Sequence, residues 1–328
     1  MKKSVFSVCI LVALSPISAH ADGQGLPLNY DGISFVEEPI AVPIGPGTVN
    51  INTRLEQEAE YDFSEDEDEY NTGITVNTSY EMQLPNDWQV GVQYFSEYDR
   101  LADNDERDEY QDDLSFFVRD YWGTVALGNV TGMVHTQARR SLGYGTAVLE
   151  NDNFIGELDE TGAYYSVRSN AYRLLATADQ EGRAEAGLLY EQPIGKSVYF
   201  GSLRLRKGDT GENYIDEQRD TYGGALVGKY TYASFQANAQ LGYETLEEQN
   251  NASDDHYFSS VGLIYKYGSY CVSAEGGLGS YDKQDRRAFA LGGRVDIARG
   301  LSLNMGINYD VSENGENLKS STAMRYEF

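Results

Sequence analysis

Segment after segment of this chain alternates apolar and polar residues one by one, and no apolar run reaches the length of a membrane-crossing helix. Phe235, Ala237, Ala239, Leu241 and Tyr243 share one face of such a segment, against Gln236, Asn238, Gln240, Gly242 and Glu244. Leu301, Leu303, Met305, Ile307 and Tyr309 oppose Ser302, Asn304, Gly306, Asn308 and Asp310 in the same way. Val49, Ile51, Thr53 and Leu55 stand against Asn50, Asn52, Arg54 and Glu56, and Trp88, Val90, Val92 and Tyr94 against Gln89, Gly91 and Gln93. Successive side chains of a strand point to opposite faces. A period of two with a fully polar second face suits strands that line water better than strands that enclose a packed core. The expected fold is all-β, a transmembrane antiparallel β-barrel.

Sixteen such strands are expected, near 48–60, 72–84, 88–98, 111–119, 123–131, 162–168, 171–179, 184–191, 197–207, 221–229, 232–244, 257–267, 270–281, 288–298, 301–311 and 319–328. The stretch 221–241 can be divided in more than one way, which leaves fourteen or eighteen strands open. Short turns (85–87, 169–170, 192–196, 267–269, 298–300) alternate with longer acidic or Gly/Asn-rich loops, the asymmetry of periplasmic turns and external loops. The last strand ends on Phe328, with Thr322, Met324, Tyr326 and Phe328 directed to lipid and Ala323, Arg325 and Glu327 to the lumen. Its alternative is the edge strand of a secreted β-sandwich. Residues 22–47 hold Pro27, Pro39, Pro43 and Pro46 and several glycines, so they read as a periplasmic extension that can tuck into or under the barrel at 48–328 and is too short to plug its lumen.

Residues 1–21 carry the marks of a secretory leader: Lys2 and Lys3, an apolar stretch over 5–14, and Ala19-His20-Ala21 before Asp22. Two lysines and no acid would leave with it, moving the formal charge from −27 to −29. Cys9 would leave too, so Cys271 is expected as a lone, packed thiol. His135 and His256 alone would remain of the histidines, too few for a histidine metal centre with a separate acid–base group, and no cofactor is expected. Twenty-six tyrosines, twelve phenylalanines and two tryptophans are many for so polar a chain, and barrels place such residues in girdles at the two membrane interfaces.

Residues 114–129, Leu-Ser-Phe-Phe-Val-Arg-Asp-Tyr-Trp-Gly-Thr-Val-Ala-Leu-Gly-Asn, form a strand, a tight turn and a Gly-x-x-x-Leu-Gly strand leading into the longest loop, 131–161. Residues 162–168, Gly-Ala-Tyr-Tyr-Ser-Val-Arg, then leave that loop. This arrangement resembles the Gram-negative general porins, and with the leader and the strand count the resemblance spans nearly the whole mature chain. The family's third loop folds into the barrel and sets acidic residues opposite a basic wall. The resemblance therefore implies a constriction with Glu150, Asp152, Glu157, Asp159 and Glu160 on the loop. By strand parity the basic wall candidates are Arg54, Arg119, Arg168, Arg204, Arg206 and Arg294, of which Arg204 and Arg206 stand two apart on one face. Each arginine can equally serve a local salt bridge. Asn129 stands where the family often has Arg, and Thr75, Asn77, Ser79 and Glu81 carry no base, so the basic cluster is weaker or built from other strands. The family also implies a homotrimer in contact with outer-membrane lipid and lipopolysaccharide, with 223–228 as one candidate contact.

The function expected is passive diffusion of ions and small hydrophilic solutes through a water-filled outer-membrane channel. Acidic runs at 65–69, 103–109, 247–248 and 254–255 fall in predicted external loops, where carboxylates raise the local cation concentration. Asp66-Glu67-Asp68 lacks the glycine and terminal Glu of an EF-hand loop. So acidic a chain is not a nucleic-acid partner. An oligosaccharide-specific channel is the alternative, with Tyr144, Tyr164 and Tyr199 as stacking candidates. A barrel enzyme would need an activated serine; His135 with Ser141 is the only conceivable pair, and both sit in a loop. An adhesive or structural barrel would require a plugged lumen.

Overall fold

The computed structural model describes residues 40–64, 66–101, 109–130, 132–144, 161–209, 220–247, 253–281, 284–312 and 315–327. Its strands are β1 (Ile40–Ile44), β2 (Gly47–Asp62), β3 (Glu67–Gln83), β4 (Gln89–Leu101), β5 (Glu109–Asp120), β6 (Gly123–Asn129), β7 (Thr161–Ser169), β8 (Tyr172–Asp179) and β9 (Ala184–Ile194). They continue as β10 (Ser197–Asp209), β11 (Asp220–Tyr232), β12 (Phe235–Glu247), β13 (Ser253–Tyr267), β14 (Tyr270–Tyr281), β15 (Gln284–Ala298), β16 (Leu301–Ser312) and β17 (Gly315–Glu327). A short helix, α1 (Met133–Ala138), follows β6.

Each of β2 to β17 pairs antiparallel with its sequence neighbours, and β17 closes on β2 through Glu327↔Arg54 to Lys319↔Asp62, making a sixteen-stranded closed barrel. No described helix is long and apolar enough to cross a membrane; the crossing elements are strands.

Alternation holds around the ring. On β12, Phe235, Ala239, Leu241 and Tyr243 are exposed while Asn238, Gln240 and Glu244 are buried, and on β17 Thr322, Met324 and Tyr326 point out while Ala323 and Glu327 point in. Phe328, expected to close that strand, lies outside the described residues. The outer face carries two aromatic rows. Near the tight turns, Tyr199 stacks against Tyr230 with ring centroids 5.2 Å apart, and Tyr172 against Tyr190 at the same distance. Toward the other end Tyr222, Tyr243, Tyr257, Phe289 and Tyr309 are exposed, with Leu203, Leu226, Leu241, Val261, Leu291 and Ile307 between the rows. Eight residues separate Tyr222 from Tyr230, about 27 Å along a strand, which strand tilt reduces to roughly the height of a membrane-embedded band.

Two glycines of the Gly-x-x-x-Leu-Gly strand have backbone reasons to be glycine. Gly123 and Gly128 take φ of +126° and +125°. A Cβ there would stand 2.1 Å from the Ser166 carbonyl oxygen and 2.2 Å from that of Leu114, a clash no L side chain tolerates.

Three expectations are corrected. Residues 40–44, read as part of a non-strand periplasmic extension, form β1 and pair with the start of β2, Ile40↔Ile51 to Ile44↔Gly47. Pro43 is tolerated because β1 is short and at an edge. The turn placed near 230–231 falls at Ala233-Ser234, between the paired Tyr232 and Phe235; Ala233 adopts φ +50°, which its residue type does not advertise. Finally, many strands run past the outer aromatic row, so Glu67, Asp68, Glu69, Glu247, Asp254 and Asp255 of the acidic runs lie on strands instead of loops.

An arginine in the middle of the outer band meets hydrocarbon, and near a turn it does not. Leu263→Arg is expected to destabilise the barrel in lipid vesicles by about 2–4 kcal/mol, and Tyr267→Arg by about 0–1 kcal/mol, measured by reversible urea unfolding.

Candidate functional site

The chain leaving β6 does not continue into solvent. Val130, Met133, Val134 and Ala138 are buried against Phe95, Phe117, Ala126, Tyr164, Leu175 and Leu189, inner-face residues of β4 to β9, with Phe200 of β10 at the margin. Here the inner face is apolar, against the expectation of a uniformly polar lining, because α1 covers it. The helix starts after Gly132, whose φ of +58° turns the chain back along the wall. Polar contacts fix its other side. Gln137 donates through Nε2 to the Tyr164 hydroxyl at 3.0 Å and accepts through Oε1 from Arg173 at 2.7 Å. The Ser202 hydroxyl of β10 donates to the carbonyl of Ala138.

Beyond α1 the segment 139–144 runs along the inner face of β12 to β15. Arg140 donates from Nη1 to Glu275 Oε1 of β14 at 2.7 Å and from Nη2 to Oε2 at 3.0 Å. Both side chains are fully buried. Gln236 of β12 donates to the Ser141 hydroxyl, and the Tyr144 amide donates to Ser273 Oγ of β14 at 2.8 Å. Room for this course comes from small inner residues. A Cβ on Gly292 would stand 1.6 Å from the Tyr144 carbonyl oxygen, and one on Gly262 3.2 Å from Arg140 Nη1. Burial, with Cys271 adding to it, pushes the Tyr144 hydroxyl up to about 12.

The basic candidates take different places. Arg204 and Arg206 are buried on the inner face of β10. Arg204 pairs with Glu185 of β9, and Arg206 lies 3.9 Å from both Glu185 and Glu244. Arg54 bonds Glu97 of β4 at 3.0 Å, and Arg294 bonds Asp296 at 2.7 Å. Arg119 donates to Thr124 at 3.2 Å and lies over the Phe117 ring. Arg168 is exposed at the β7–β8 turn, bonded to the Asn170 carbonyl, away from the inner wall. Glu150, Asp152, Glu157, Asp159 and Glu160 lie outside the described residues.

The inner-face charges are weighted differently across the ring, acids outnumbering Arg54 in one sector and bases outnumbering Glu244 in the opposite one. In a circle of sixteen, β2 to β4 stand opposite β10 to β12. The first sector presents Glu56, Glu58, Glu60, Glu97 and Asp99 at inner-face parity, with Lys319 bonded to Glu60 at 2.7 Å and Arg325 to Glu56. The second presents Arg204, Arg206 and Lys229, whose Nζ lies 4.4 Å over the Phe200 ring. Of the tyrosines considered as a sugar track, Tyr199 faces outward in the aromatic row and Tyr164 lies beneath α1, so the three do not form a continuous inner strip. His135 is buried on α1.

Sequence reasoning missed Arg140 and Glu275. The available signal was an inner-parity carboxylate on β14 surrounded by Gly262, Ser273, Gly277 and Gly292, a wall too small to fill its own space. The contact also has the opposite sense to the expected one: the base is on the loop and the acid on the wall.

Breaking one member of a buried ion pair leaves the other charge uncompensated. Glu185→Ala is expected to cost about 3–5 kcal/mol of barrel stability, measured by urea unfolding in vesicles.

No family model matches the sequence, and no curated protein does. Among solved structures, a loop-deletion variant of OmpT, an outer membrane protein of Vibrio cholerae, superposes with a TM-score of 0.69 at 13% identity, over 87% of this chain and 100% of that one. The trimer form of in-vitro folded OmpT matches with a TM-score of 0.68, again at 13% identity, over 87% of this chain and 100% of that one. The anion-selective porin of Comamonas acidovorans matches with a TM-score of 0.68 at 11% identity, over 86% of this chain and 100% of its own. What these proteins share with the chain is the fold, a closed β-barrel of the outer-membrane type.

Proposed function

We propose that the protein is an outer-membrane channel for passive diffusion of ions and small hydrophilic solutes, with a preference for cations. One observation carries the reading. The ring is closed and apolar outside between two aromatic rows, while its inner face bears charged and amide side chains on both of two opposed sectors. Such a lining is costly in a dry core and natural against water.

The preference for cations rests on the overall charge of −27 and on carboxylates held at the strand ends opposite the tight turns. Glu150, Asp152, Glu157, Asp159 and Glu160 would add acids where the loop narrows the lumen. Arg204, Arg206 and Lys229 oppose this, so the balance is set by which group lies nearer the narrowest point. Assembly as a homotrimer in lipid and lipopolysaccharide is part of the same reading, supported by the trimeric form among the similar barrels.

Zero-current potential in a planar bilayer under a tenfold KCl gradient tests the proposal. A stable conductance with a potential favouring K⁺ is expected, reduced when Glu150, Asp152 and Asp159 are changed together to Gln or Asn. No conductance would overturn the channel, and a potential favouring Cl⁻ would overturn the cation preference and assign control to the arginines.

A further inference from the structure

We propose that the Arg140–Glu275 pair is a latch: it holds segment 139–144 flat against the β12–β15 wall, and its release exposes Cys271 to the lumen and narrows the free cross-section. The effect on cross-section rests on the channel reading; the latch itself does not.

The geometry is specific to this pair. Arg140 makes a two-pronged bond to Glu275, with 0% of either side chain exposed. Its Nη1 also reaches Asn238 at 3.5 Å, and its amide lies 3.4 Å from Gln240 Oε1. A planar guanidinium matched to both oxygens of a carboxylate fixes direction as well as distance. Four residues later the segment is pinned again, through Tyr144 to Ser273 Oγ and against the backbone at Gly292. Between β6 and Arg140 the segment is held by the apolar contacts of α1. Between Arg140 and Tyr144 the ion pair is the charged tie, joined by the bond from Gln236 to the Ser141 hydroxyl.

Cys271 sits two residues before Ser273 on the same inner face of β14, 3% exposed, beside the point where the Tyr144 amide is bonded to Ser273 Oγ. The docked segment therefore covers the thiol. Arg140 and Glu275 act as positioning residues, and Cys271 reports their state.

The test is the rate at which a hydrophilic maleimide labels Cys271 in the folded, detergent-solubilised protein. Peptide mapping separates this from Cys9, the only other cysteine of the chain. Two variants are compared with wild type: Glu275→Gln, which keeps the shape but removes one charge of the pair, and the double variant Arg140→Met with Glu275→Gln, which removes the pair without leaving a buried charge uncompensated. Heat-modifiable migration verifies folding of each, and the double variant carries the test if Glu275→Gln alone does not fold. Labelling at least tenfold faster in the variants, with a smaller and noisier single-channel conductance, is expected. Equal labelling rates would overturn the latch. Fast labelling with unchanged conductance would overturn its control of the cross-section. A wild-type protein that labels slowly, speeds up in the variants and never conducts would count against the channel reading alone.

Discussion

In hydrocarbon an unpaired backbone amide has no water to turn to, so a sheet survives there only if it closes. Everything else in this structure depends on the seam where β17 meets β2. That seam is made by two strands in succession. β17 pairs with Arg54 to Asp62, and β1 takes the same edge of β2 from Gly47 to Ile51. The proline-rich stretch that looked like a tail thus continues the seam where the last strand runs out. Once the ring is closed, backbone groups are satisfied around it, and side chains are free to sort by face alone.

That sorting is why so much of the fold was legible. A period of two survives any uncertainty in boundaries, because a strand extended by two residues keeps its faces. The faces of Phe235–Glu244, of Leu301–Asp310 and of the closing strand follow from parity. What parity does not contain is the identity of whatever covers the inner face. Phe95, Phe117, Leu175 and Leu189 at inner positions announced that part of the lining is dry, yet only the placement of α1 shows what dries it. Turns were legible where glycine, asparagine or aspartate supplied the positive φ, as at Asn170 and Asp87, and missed at Ala233, where alanine does so.

The candidate site was less legible, for a physical reason. An arginine's strand and face can be read from spacing, but its partner is set by shear between strands and by the course of a loop. Arg204 and Arg206 lie on the inner face of β10, Arg204 paired with Glu185 and Arg206 close to Glu185 and Glu244. Arg168, of matching parity, ended at a turn because parity carries no depth. Arg140 and Glu275, 135 residues apart, meet only because the segment after α1 runs along the inner wall of β12 to β15.

The acids at the end opposite the tight turns ride on strands that outlast the outer aromatic row. Glu67, Asp68 and Glu69 are locked in register with Asp62, Tyr61 and Glu60 of β2. Fixed charge on a rigid rim behaves differently from charge on mobile loops. It cannot swing aside to relieve its own repulsion, so in the proposed channel the enclosed water would hold counterions in a Donnan balance. In that proposal the ratio of cations inside to outside would be set by the bathing salt: large in dilute media, and fading as the Debye length contracts below the width of the rim.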